Sequence, residues 1–424
     1  MAIYLKNAKF IDWQTLEFRQ THIQVSEGPL GSMAFLEKMP EANELGTDDE
    51  ILDCTGKWVT KSFGNAHHHV YSALARGMPA PPKQPSNFYE ILKYVWWRLD
   101  KALDLDMIEA SALATATACA KNGVTFVVDH HSSPSSVEGS LETIAKAFDR
   151  VGVSHLLCYE LSDRDGVAAR ERGLGETENY LKSGRSGLVG LHASFTVGQE
   201  LLTRAVDLAE KYGQGIHVHV AEDPIDEELT VKKFGKRVLE RFQEAGVLDF
   251  TRTILSHGLY LNHAEREIFR RSPAFLVQNT ESNLNNAVGI FRAEGLGDRI
   301  LLGTDGMHSD MLRSAKISYF VGQQEGVNSA EIYARFRKIH EYAKENGLSG
   351  DGENNLVVLN YDSPTEMNSE NFLSHFIYGI ESRHVESVIS SGKLIFHKRE
   401  MRTIDEEDVL EFAREQGKRL WEKL

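Results

Sequence analysis

The middle of the chain alternates between short apolar runs and longer stretches of helical period. Eight runs rich in Val, Ile, Leu and Phe read as strands: Trp58–Phe63, Val124–Val128, His155–Tyr159, Leu188–Leu191, Ile216–Val220, Thr253–Ser256, Phe275–Val277 and Ile300–Leu302. Between most of them lies a helical pattern. Leu103–Asn122 is rich in Ala and Leu and stops at Gly123, while Glu200–Tyr212 and Leu229–Ala245 stop at Gly213 and Gly246. A glycine after the last apolar position is the usual closing signal of a helix. Strands that alternate with helices pair in parallel through right-handed crossovers. Eight such units suit a (β/α)8 barrel, and an open doubly wound sheet is the other arrangement that the count allows.

The residues that end the runs favour the barrel. In order they are His67 and His69, Asp129-His130-His131, Glu160, His192, His219, His257, Asn279 and Asp305. Nearly every one can ligate a metal or move a proton. A barrel gathers strand ends at one mouth, whereas an open sheet spreads them along a crevice.

The flanks have a different rhythm. Ile3–Phe10 and Thr21–Val25 at one end, and Leu356–Asn360 and Val385–Phe396 at the other, alternate like strands between turn residues. Neither set buries a face alone, so the two are expected to combine. The predicted class is α/β: residues 1–57 and 355–400 form a composite β-sandwich domain and 58–354 the barrel. Residues 401–424 form a C-terminal helix, with Thr403 and Glu406 as its capping box. Pro79-Ala80-Pro81-Pro82 marks a loop placed to act as a lid.

Composition narrows the classes. With 41% apolar, 26% charged and 9% aromatic residues, the 424-residue chain is neither disordered nor fibrous. Lys and Arg number 47 against 62 Asp and Glu, a net charge of −15. Such a surface repels phosphate backbones, so no nucleic-acid partner is expected. No apolar run reaches the roughly 18–20 residues of a membrane span, and the first residues lack a signal peptide's pattern. A cytoplasmic protein with no membrane partner is expected. Cys54, Cys119 and Cys158 lack Cys-x-x-Cys spacing, which argues against a disulfide framework or a zinc ribbon.

The chemistry starts at Asn65-Ala66-His67-His68-His69. His67 and His69 stand two apart, so on extended backbone both face one side while His68 faces the other. That is a two-point metal grip, although an isolated His-x-His is as often incidental. His217 and His219 also share a strand face, with Glu222 just past the strand end. The deeper His217 reads as a hydrogen-bonded core residue and His219 as a ligand. His257 and Asp305 close two further runs, and either alone would read as a core or turn residue. Together, His67, His69, His219 and Asp305 make a His3Asp set with one open position. One divalent ion there lowers the pKa of water from 15.7 to about 7, which suits hydrolysis. Asp305 is then the natural base, Glu222 the proton shuttle, and His257 a group that steadies the water or the developing oxyanion. Zinc is the expected ion, and iron is served by the same donors. Aromatic residues Tyr71, Phe88, Trp96 and Trp97 near the first loop are placed to stack on a ring, or to pack under a helix.

These residues as a set resemble the amidohydrolase superfamily. The match lies in its mononuclear branch of aminohydrolases and chlorohydrolases, and in particular in the SsnA-type aminohydrolases. It rests on His67-x-His69, Trp96-Trp97-Arg98-Leu99-Asp100, Asp129-His130-His131, Phe195-Thr196-Val197, His219-x-x-Glu222-Asp223, His257-Gly258-Leu259-Tyr260-Leu261, Ser282-Asn283-Leu284-Asn285-Asn286 and Gly303-Thr304-Asp305-Gly306. The resemblance implies a barrel with a small β-domain, one divalent ion, and hydrolysis at an sp² carbon that releases ammonia. It assigns the metal to His67, His69, His219 and Asp305, the shuttle to Glu222, and assistance to His257. Substrate contacts fall to His192 by position, with Trp97, His131 and Asn279 as further candidates. The fourth run ends on His192 with no lysine beside it, which supports a single metal. The resemblance also implies a small-molecule substrate and a homo-oligomer.

Three stretches depart from the family pattern: Lys61-Ser62 ahead of the first histidines, Gln278 before Asn279, and Met307-His308 after the aspartate's glycine. The expected activity is deamination of an amino-substituted purine-, pterin- or triazine-like heterocycle. The alternatives are a hydrolase that expels chloride or an alkylamine, and a catalytically silent metal-binding subunit.

Overall fold

The computed structural model describes residues 2–29 and 31–424. Eight parallel strands follow one another in chain order: Phe63–His68, Val124–His131, Ser154–Leu161, Val189–Ala193, Ile216–Val220, Ile254–His257, Phe275–Gln278 and Ile300–Leu302. The last returns to the first. A parallel bridge joins His68 to Asp305, and the amides of Thr304 and Asp305 donate to the His67 carbonyl at 3.1 and 3.0 Å. Helices such as Leu105–Lys121, Ser140–Val151, Val167–Lys182 and Gln199–Tyr212 occupy the crossovers.

The barrel interior explains why the site sits at one end. Phe126, Val128, Leu156, Cys158, Leu188, Ile254, Phe275, Val277 and Leu301 form one buried cluster, with Ile339 and Tyr342 of the helix Ser329–Glu345 packed against it. On these strands the side-chain period of two carries the same face onward from Val128 to His130 and from Cys158 to Glu160. The strands are apolar where they start and polar where they finish.

The flanking segments build a nine-stranded mixed sheet from both parts of the chain. Its path runs Glu400–Met401, Lys393–His397, Val385–Ser390, Leu356–Leu359, Trp58–Lys61, Ala2–Ile11, Phe18–Ser26 and Met33–Leu36, with Glu50–Asp53 beside Ala2–Ile11. Ile3, Leu5, Ile23, Val25, Val59, Leu356, Val358 and Ile389 share its apolar cluster.

Three local expectations need correction. Trp58–Phe63 is not one barrel strand: Trp58–Lys61 pairs with Leu356–Leu359 in the flanking sheet, and the barrel begins at Phe63. Both pieces are buried throughout, so no change of period marks the switch. Leu229–Ala245 is likewise two helices, Pro224–Phe234 and Val238–Glu244, divided at Gly235 with φ +72°. The C-terminal helix Glu406–Lys423 is capped by Asp405, which accepts from the amides of Glu407 and Asp408, while Thr403 donates to the Val151 carbonyl. Among the described residues no helix is long and apolar enough to cross a membrane.

Candidate metal centre and active site

Four imidazoles meet at the mouth, and in each the Nδ1 atom is already engaged. His69 Nδ1 donates to the His130 carbonyl at 2.7 Å and His219 Nδ1 to the His192 carbonyl at 2.8 Å. His257 Nδ1 donates to Asn283 Oδ1 at 2.8 Å, and His67 Nδ1 shares a hydrogen bond with His217 Nε2 at 2.9 Å. Such outer contacts fix ring orientation and leave Nε2 as the inward lone pair. The inward atoms are close together. His69 Nε2 is 3.2 Å from His219 Nε2 and 3.1 Å from Asp305 Oδ1, which is 3.6 Å from His67 Nε2. His217 therefore supports His67 from behind.

This donor set fits a divalent ion. His67, His69 and His219, and again His67, His257 and Asp305, bring ligand atoms within 4.8 Å of one another, all buried. His67 Nε2 and His257 Nε2 are buried without a hydrogen-bond partner. Burial holds the His67 ring down to about 3 and the His219 ring well below its usual range, so both present lone pairs at neutral pH. Burial also disfavours charge on His69, but its contact with Asp305 outweighs that and raises it to about 9. Asp305 stays ionised in spite of its burial because His67 and His69 face it. A metal cation at this point would displace the His69 proton and take its place against Asp305. A further grouping, His130 with Glu160 and His219, is committed elsewhere: Glu160 pairs with Arg164 at 2.5 Å, and His130 Nε2 faces the carbonyls of Leu191 and His217.

The backbone is strained where the chemistry sits. Ala221, His257 and Asp305 have φ of +45°, +76° and +53°. Left-handed backbone in a non-glycine residue costs about 1–3 kcal/mol and persists only where its surroundings enforce it. Here they do: the Ala221 amide donates to Asp226 at 2.7 Å, and the Gly306 amide to Asp305 Oδ1 at 2.9 Å. The Ser282 hydroxyl donates to Asp305 Oδ2.

Beside this cluster Glu222 lies 3.5 Å from His257 Nε2. Burial, and then the charge of Asp305, push its carboxyl well above the ordinary range. A carboxyl that holds its proton more tightly, near a carboxylate kept ionised, is a matched acid and base. The two open into a cavity walled by Tyr71, Phe88, Trp96, Trp97 and Phe195.

The family model for the amidohydrolase family matches residues 58–336. The chain belongs to the amidohydrolase family. Among its relatives, a 5-methylthioadenosine/S-adenosylhomocysteine deaminase of Thermococcus sibiricus is 26% identical, aligned over 93% of this chain and 94% of that one. A 5'-deoxyadenosine deaminase of Methanocaldococcus jannaschii is 28% identical over 86% of this chain and 90% of its own. In fold, an adenosine deaminase from Xanthomonas campestris, solved with bound zinc, superposes with a TM-score of 0.82. It is 18% identical and is covered to 98%, against 99% of this chain.

Not every expected contact of this amidohydrolase reaches the cavity. His192 and Trp97 line it, together with His69, His219, Glu222, His257 and Asp305. His131 does not: it is fully buried, bonded to Ser133 at 2.8 Å and packed between Tyr71 and Tyr159. Asn279 does not either. It is fully buried at the seventh strand end, against Gly303, where an added Cβ would meet its Oδ1 at 2.5 Å. The resemblance and strand-end position together promoted both residues, and neither distinguishes a side chain facing the cavity from one facing a neighbour.

Sequence reasoning missed an acidic and basic knot on the cavity wall. Arg164 reaches Asp100 at 2.6 Å, Glu160 at 2.5 Å, Asp165 at 3.2 Å and Ser132 at 2.9 Å, with its guanidinium over Trp97. Burial raises Asp100 to about 7. These partners lie up to 65 positions apart, Asp100 to Asp165, so no local pattern joins them. Asn283 and Ser282 had a signal in their motif, but their roles behind His257 and Asp305 required coordinates.

Proposed function

We propose that this amidohydrolase is a mononuclear aminohydrolase that replaces the exocyclic amino group of a nitrogen heterocycle with oxygen, releasing ammonia. The observation that carries it is the junction of inward imidazoles and Asp305 with the buried carboxyl of Glu222, 3.5 Å from His257, at one aromatic-walled cavity. His67, His69, His219 and Asp305 would hold one divalent ion, zinc by preference. When bound, it supplies Lewis acidity that makes water a nucleophile near neutral pH.

The chain's own groups divide the rest. Asp305, ionised and oriented by Ser282 and the Gly306 amide, accepts the proton of the attacking water. Glu222, whose carboxyl is pushed upward, donates its proton to the ring nitrogen, and the proton that Asp305 takes from water passes to the departing amino group, which leaves as ammonia. His257, fixed by Asn283, steadies the new oxygen. His192 and Trp97 position the ring. Two relatives named for adenine nucleosides support a purine-like substrate.

The test is a screen of zinc-loaded protein for ammonia release from aminopurines, their nucleosides, pterins and aminotriazines. Release from at least one class is expected. No release from any, at full metal occupancy, would overturn the reading.

A further inference from the structure

A second and larger concavity lies on the other side of Trp96. It is open to solvent and roomier than the catalytic cavity. Its walls are the turn Val70–Ala75, the helix Leu105–Lys121 and the C-terminal helix Glu406–Lys423, closed by the loop Gly306-Met307-His308-Ser309.

The charge of this groove runs against the composition. Six cations line it, Arg76, Lys121, Arg383, Arg399, Arg414 and Lys418, with two acids, Glu406 and Glu422, in a chain whose net charge is −15. Lys121 takes Glu406, and Arg383 has Glu381. Among the described residues no ion pair engages Arg76, Arg414 or Lys418. Cations left without partners around one concavity repel one another, and a bound polyanion relieves that repulsion.

The floor supplies an independent observation. His68 is the histidine that the strand turns away from the metal centre, and it is only 3% exposed. Its Nε2 meets Ser309 Oγ at 3.0 Å, and its Nδ1 has no partner. The floor is therefore polar, with His68 and Ser309 beneath the cations.

We propose that this groove is a second ligand site, for a small phosphorylated polyanion. The site is also coupled to the first. Trp96 walls both, and it packs so closely on Gly306 that an added Cβ there would meet the indole at 2.8 Å and Ser72 Oγ at 3.3 Å. Ser72 holds the Gly306 carbonyl at 2.9 Å, one residue beyond Asp305. A ligand in the groove therefore bears on the indole and the loop that shape the catalytic cavity.

Calorimetric titration of the metal-loaded protein with inorganic pyrophosphate tests this. Saturable binding is expected, weakening as salt rises and falling about tenfold or more in the Arg414→Glu, Lys418→Glu double variant. Both side chains are exposed, so the variant should melt as the parent does. Tryptophan emission should change on binding. Absent binding overturns the proposal, and so does binding that survives charge reversal, which would lie at the metal. If sedimentation shows a dimer that the double variant dissociates, the groove is an interface between copies, and the ligand reading is equally overturned.

Discussion

Two buried polar clusters occupy opposite ends of the barrel, and they are built on different rules. At the strand starts, Lys61 pairs with Asp351 at 3.0 Å and donates to the carbonyls of Asp351 and Gly352, while His340 meets Asp351 at 2.8 Å. Each charge there faces its opposite. At the strand ends, four inward Nε2 atoms and one carboxylate converge; His69 meets Asp305, while His67 Nε2 and His257 Nε2 have no partner. The first cluster pairs charge with charge and ties the helix Ser329–Glu345 to the flanking sheet, although His340 Nε2 and Asp351 Oδ1 also lack a hydrogen-bond partner. The second is complete only around a cation. What marks function at the mouth is the convergence of ligand atoms on one point beside a cavity, which the structural end lacks. The comparison also gives Lys61 a role: it serves the structural end.

Breaking the mouth should abolish activity and spare the fold. Asp305→Asn should lose most of its bound metal, measured by elemental analysis, and turnover should fall to background while melting of the apo forms stays similar. Glu222→Gln should keep its metal and lose about 10²- to 10⁴-fold in kcat, the usual worth of a proton-transfer group. Breaking the other end should do the reverse. Lys61→Met leaves Asp351 buried against one histidine and should lower stability by about 3–5 kcal/mol in denaturant melts, with kcat per folded molecule unchanged.

Smaller effects separate the clusters further. Asn283→Leu frees His257 Nδ1 and should reduce kcat about 10- to 100-fold with little change in stability, the range seen for outer supports of metal sites. The acid limb of stability belongs to the structural end. Lys61 and His340 hold Asp351 below its ordinary value despite burial. Its contribution is therefore complete above the unfolded value near 3.8 and is lost as pH falls through the lowered one. Asp351→Asn should be less stable at neutral pH and should lose less than the parent between pH 5 and 2.

Much of this was legible in the chain. Six of the eight barrel strands lie within a residue or two of runs visible as apolar segments, since parallel strands buried on both faces read as continuous hydrophobic stretches. The same uniform burial hid the switch at Ser62 from flanking sheet to barrel. The histidines at strand ends were visible because a strand's period fixes which residues share a face. What lay beyond reach was the partner of each side chain. His131 and Asn279 hold strand-end positions equal to those of His192 and His257, and only packing turns them away from the cavity. The knot of Asp100, Glu160 and Arg164 joins separate loops, and the cationic groove joins an early turn to the last helix. No short-range pattern encodes either.

The most direct test is an anomalous-scattering map from crystals of metal-loaded protein. The account requires one peak at about 2.0–2.2 Å from His67 Nε2, His69 Nε2, His219 Nε2 and an Asp305 oxygen. A peak centred on other residues, or a loaded protein with none at the mouth, would contradict it.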